Sequence, residues 1–153
     1  IWNRLRWRPS ATSDERGQRL TASISVEVSV EVSPGELIDK ITILEIKLER
    51  IEDEDKLKNV KLEWETLTRA RDEAIEATPE LEKLTAGLKE SNERLWEIEN
   101  DIRDCERDKD FGDRFVELAR GVYVNNDQRS RLKRKINELL GSRLIEEKSY
   151  AAY

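Results

Sequence analysis

The sequence predicts a mainly α protein: an antiparallel helical hairpin or bundle with coiled-coil-like seams and one N-terminal β-strand. Three observations carry this. Apolar residues recur at helical steps over most of residues 33–141, capping and breaking residues divide that stretch into segments, and one short run near the start alternates with period two instead. Composition agrees: 41% of the 153 residues are charged and 37% apolar, enough to line stripes but not to fill a thick globule.

Residues 1–22 mix Arg, Trp, Pro, Ser and Gly without a sustained period and are expected to form a flexible extension. The strand is expected at 24–32, where Ile24, Val26, Val28, Val30 and Val32 alternate with Ser and Glu. A lone strand needs a partner, either the poorly alternating 143–150 or a second copy of the chain. Residues 23–141 are read as one helical domain including this strand, and 142–153 as a C-terminal tail.

Ser33 at the N-cap, Pro34 at N1 and Glu36 at N3 open the first helix. Its apolar residues occupy more than one face: Leu37, Ile41, Leu44, Leu48 and Ile51 form one stripe, and Ile38, Ile43 and Ile46 lie away from it. Such a helix is expected to be gripped between neighbours. A second helix follows from about 55 to 77, with Leu57, Val60, Trp64, Leu67 and Ala74 on a stripe that Arg71 interrupts. Thr78 and Pro79 start a long third helix to about 108, whose heptad seam of Leu81, Leu84, Leu88, Leu95, Ile98, Ile102 and Cys105 is interrupted by Ser91 and Asn92. The short link between them predicts that the second and third helices pair as an antiparallel hairpin. After 110–113 a short helix carries Phe115, Leu118, Ala119 and Val122. The apolar phase then slips, so a cap or kink is expected at Asn126–Asp127, and Gly141 is expected to end the last helix.

Quoted in order, "VEVSPGELIDKITILEIKLERI", "LWEIENDIRDCE", "FVELARGVYVNNDQRSRLKRKINELLGS" and "EEKSY" resemble a family of short bacterial proteins with no assigned function, over about residues 28–150. The resemblance implies a small, mostly helical, cytoplasmic protein and no particular reaction. Residues 1–27 lie outside it.

Several classes of function are disfavoured. With no His, imidazole-based triads and the commonest metal ligand are absent. Cys105 stands alone, so no internal disulfide forms and a reducing compartment is expected. The longest uncharged run, Leu20–Val26, is far too short for a membrane span. The first residues carry charge without a following apolar stretch, unlike a secretory signal, and the chain does not begin with Met, as in a fragment or processed protein. Residues 1–22 hold five Arg against Asp14 and Glu15, a surplus of three positive charges, which leaves −9 on the remainder of a chain totalling −6. That acidic body opposes phosphate-backbone binding, so nucleic acid is a weak third reading, resting on the Arg- and Trp-rich N-terminus and the basic last helix.

Two constellations suggest chemistry. Glu36 and Asp39, three apart, place two carboxylates on one helix face, as Mg²⁺ bound with a nucleotide's phosphates would require. Helical nucleotide pyrophosphohydrolases also need a preceding E-E-x-x-E helix, which is missing, and Glu36 has a plain role in the capping box. Asn126, Arg129, Lys133 and Asn137 form a polar stripe in which Arg129 and Lys133 are suited to a phosphate or carboxylate. The plainer reading is a basic solvated face pairing with the acidic helices. Arg71 and Asn92, polar residues within apolar seams, are candidates for fixing register or an interface. Trp64, Trp96 and Cys105 read as core or seam residues. The sequence thus favours a non-enzymatic interaction or assembly module, homo-oligomeric or bound to a partner protein, without cofactor or resident metal. A Mg²⁺-dependent nucleotide or sugar-phosphate enzyme is the alternative.

Overall fold

The computed structural model describes residues 26–151. The chain divides into two units, Ile1–Val30 and Glu31–Tyr153. Residues 26–32 carry neither helix nor strand; the strand expected at 24–32 begins outside the described residues, as does the boundary drawn at 22–23. Among the described residues the second unit contains four helices: α1 (Pro34–Arg50), α2 (Glu54–Ala74), α3 (Pro79–Asp108) and α4 (Asp113–Leu139). The fold is mainly helical, as the periodicity predicts.

Each boundary has a local cause. The Ser33 hydroxyl accepts from Glu36 N and Pro34 follows at N1; Asp53 accepts from the amides of Asp55 and Lys56; Thr78 accepts from Leu81 N with Pro79 behind it. These side chains satisfy amide donors that the first helical turn leaves orphaned. At the far end of α4, Gly141 takes φ +63°, its amide donating to Glu138 O and Ser142 N to Asn137 O, the paired bonds of a Schellman cap. A Cβ on Gly141 meets nothing within 4 Å, so only the backbone conformation penalises alanine there. Gly141→Ala is expected to cost about 1 kcal/mol, measurable by urea denaturation as a lower midpoint with unchanged slope.

α1 is the central element and packs against α2, α3 and α4, while α3 and α4 also pack on each other. Ile38, Ile41, Leu44 and Ile46 are buried and Ile43 is half-buried, so its several apolar faces all find neighbours. The core centres on Ile38, Leu81, Leu88 and Ile136, with Ile75, Leu84, Leu132 and Leu140 against them.

Two expectations are corrected. The second and third helices do not form a hairpin, because α2 packs on α1 rather than along α3. The 51–53 link is as short as the link after α2, and α1 offers α2 an apolar face that α3 would otherwise have to supply. Nor does α4 end in a cap and restart at Asn126–Asp127: one helix runs from Asp113 to Leu139. Asn125 and Asn126 donate to the carbonyls of Gly121 and Val122 within the helix. The polar phase that argued for a break is accommodated, because the stripe turns toward polar groups on α1.

Candidate functional site

The site lies where the N-terminal half of α1 crosses α3 and the C-terminal half of α4. Asp39, one turn into α1, is about 1% exposed. Its carboxylate receives a two-pronged contact from Arg129, Nε to Oδ1 at 2.7 Å and Nη2 to Oδ2. From α3, Asn92 Nδ2 donates to Asp39 Oδ1 and to Thr42 Oγ1, each at 3.0 Å, and the Thr42 hydroxyl donates to Asp39 O. Arg129 Nη1 further reaches Asn126 Oδ1 at 3.3 Å. A carboxylate and a planar guanidinium in this arrangement hold each other rigidly. The pairing with Asp39 raises the Arg129 pKa despite partial burial.

One turn along, Lys133 Nζ lies 2.8 Å from Glu36 Oε2 and 2.7 Å from Glu146 Oε2. Burial opposes the lysine's charge, but the hydrogen bonds to Glu146 and Glu36 outweigh it and its pKa is raised. The same hydrogen bond from Lys133 holds Glu146 below the usual carboxylate range. One more turn on, the amide of Gly35 donates to Asn137 Oδ1 at 2.7 Å, so α4 caps the start of α1.

Glu36, Asp39, Arg129, Lys133 and Asn137 therefore come together in one line along the α1–α4 contact. Asn92 joins them from α3. Arg71 stands apart, bonded to its neighbour Asp72 and bordering a groove of about 390 Å³ between α2 and α3 with Ile38, Ile75 and Leu81. Thr42, Glu146 and Gly35 belong to the network and were not singled out in the sequence. Thr42 reads as one more β-branched residue of α1, Glu146 lies in the tail, and Gly35 is absorbed by the capping signal. Arg134 stays at the surface with Glu147.

Chemically, the arrangement is a matched set. Asp39 is engaged at both oxygens by Arg129 and at one by Asn92, and Glu36 is engaged by Lys133. Among the described residues no group of three or more His, Cys, Asp or Glu gathers as a metal site. Cys105 is free and buried at the far end of α3.

The ionic pair at Lys133 sets an acid limit. Because the Glu146 pKa is depressed on folding, its stabilisation is present above the ordinary glutamate value of about 4.3 and is lost as pH falls through the lower folded value. The Lys133 shift is upward, so its share is complete below the ordinary lysine value of about 10.4 and fades only above it. A thermal melt series is expected to show a plateau between these limits and an acid decline that Glu146→Gln makes shallower. The effect is small, since the Glu146 side chain is 44% exposed and water screens it.

Fold and site together define a small helical protein whose central helix is locked to its neighbours by an internal polar network. The profile of the Family of unknown function (DUF6165) matches residues 28–153, and the chain belongs to that family. Neither a curated protein nor a solved structure matches it.

Proposed function

We propose that this chain is a non-enzymatic helical interaction module that self-associates through the outer face of α4. The supporting observation is an apolar strip there: Val116, Tyr123 and Val124, spaced i, i+7 and i+8, are 50%, 41% and 44% exposed, with Phe111 also open at the helix start. The residues best suited to chemistry are meanwhile engaged with one another. Apolar residues at such spacing on a surface helix fit a second helix laid alongside. The single buried Cys105 suits a reducing, cytoplasmic setting. Among the described residues no helix is long and apolar enough to cross a membrane.

Sedimentation velocity at tens of micromolar is expected to show a dimer or higher species that Val116→Glu with Val124→Glu converts to monomer without loss of helicity. A strict monomer for the unaltered chain would end this reading. The alternative, a Mg²⁺-dependent nucleotide or sugar-phosphate enzyme, draws support from the convergence of the polar stripe of α4 on Glu36 and Asp39. It requires Asp39 to exchange Arg129 and Asn92 for a cation, so it predicts a Mg²⁺-dependent rise in Tm with ATP or a sugar phosphate present. The nucleic-acid reading rests partly on Arg residues outside the described part, and retention on heparin tests it.

A further inference from the structure

Beside the polar lock, α1, α3 and α4 leave a groove of about 570 Å³. Its lining is part apolar, with Ile43, Ile46, Leu95 and the indole of Trp96, and part polar, with Asn126 and Arg129 from α4 and with Asn92 and Asn100 about one turn either side of Trp96 along α3. The hydrogen-bonding capacity of these polar groups is only partly used. Asn92 spends its amino group on Asp39 and Thr42 but not its carbonyl oxygen, Asn126 donates once, to Val122 O, and the Asn100 side chain makes no hydrogen bond among the described residues. Three of the five N–H donors of a guanidinium are taken on Arg129 by Asp39 and Asn126, which leaves two.

The charges decide between ligand classes. Arg129 is matched by Asp39, and Arg103 by Glu99, so the groove offers no surplus of positive charge to a phosphate. What remains is one aromatic ring beside side-chain amides that both donate and accept and a guanidinium that donates. Such a surface suits a ring with an apolar C–H face and a rim of vicinal hydroxyls, each both donor and acceptor. A nucleobase would find one aromatic ring in the lining to stack on. The geometry points to a binding site for an uncharged saccharide of one or two hexose units, seated on Trp96 with its hydroxyls bonded to Asn100, Asn126 and Arg129. This site is independent of self-association, since the apolar strip does not line the groove.

The test is a titration of the full, ¹⁵N-labelled chain followed by two-dimensional NMR, with maltose, glucose 6-phosphate, inorganic phosphate and adenosine as separate probes. Maltose is expected to shift the Trp96 indole N–H and the Asn100 side-chain amide saturably in the millimolar range, with glucose 6-phosphate no tighter. Asn100→Ala is expected to weaken maltose about three- to tenfold, the worth of one hydrogen bond. That side chain is exposed and supports nothing in the fold, so Tm stays unchanged. Absence of maltose shifts on a folded protein overturns the proposal. So does a maltose response that Asn100→Ala leaves intact, a response to inorganic phosphate alone, which marks an anion site, or tighter binding of adenosine, which marks a base site.

Discussion

Arg129→Met is expected to lower stability by about 3 kcal/mol, the lower end of the range for removing one member of a buried ion pair. The cost arises at Asp39, whose side chain is 2% exposed and would be left with only Asn92 as partner. The lower end applies because the Arg129 side chain is 26% exposed, so water reaches part of the vacated space. For a domain of this size the loss corresponds to a fall in Tm of roughly 10 °C. Adding Asp39→Asn in the same chain removes the stranded charge while keeping an oxygen for Asn92 to bond. The double variant is expected to recover most of the loss, giving a large coupling between the two sites in a double-mutant cycle. If Arg129→Met leaves Tm unchanged, or the two losses simply add, Asp39 is not held by Arg129 in solution and the lock does not exist.

This ion pair also shows where reading the sequence stops. The helix starts at Ser33, Asp53 and Thr78 and the stop at Gly141 are written locally, in residues within four positions of the amides or carbonyls they satisfy. Local signals of that kind are legible. Pairing between helices is not, because α1 has apolar residues on several faces and its pattern alone does not say which neighbour takes which face. The short link before α3 therefore suggested a hairpin that α2 makes with α1 instead.

The unbroken course of α4 teaches the complementary lesson. Placing Asn126, Arg129 and Lys133 against the bundle conflicts with an apolar seam only if the facing residues are apolar. Asp39 and Glu36, ninety or more positions away in the chain, remove the conflict. The polar stripe was visible from its helical step, and so were the carboxylates on α1. Their mutual satisfaction was not, since nothing local ties residue 39 to residue 129. The groove at Trp96 escaped notice for a related reason: its walls come from three helices, and Asn100 looks like any surface residue of α3.

Gly35→Ala tests the closest approach in this arrangement. A Cβ at Gly35 would stand 2.5 Å from Lys133 O, 2.9 Å from Asn137 Oδ1 and 3.1 Å from Lys133 C. Two of these atoms are backbone in the interior of α4, so no side-chain rotation relieves the overlap and the helices must separate. Separation stretches the 2.7 Å bond from Gly35 N to Asn137 and pulls Lys133 from Glu36 and Arg129 from Asp39. Alanine's advantage over glycine inside a helix is about 1 kcal/mol, and it opposes an overpacking cost of roughly 1–3 kcal/mol plus about 1 kcal/mol for the lost hydrogen bond. The clash is expected to win, for a net loss of about 2 kcal/mol. Asn137→Ala, which removes the same hydrogen bond without adding an atom to the contact, is expected to cost less than Gly35→Ala. Chemical denaturation of both variants supplies the comparison, and a Gly35→Ala protein as stable as the original would mean that α1 and α4 do not meet this closely.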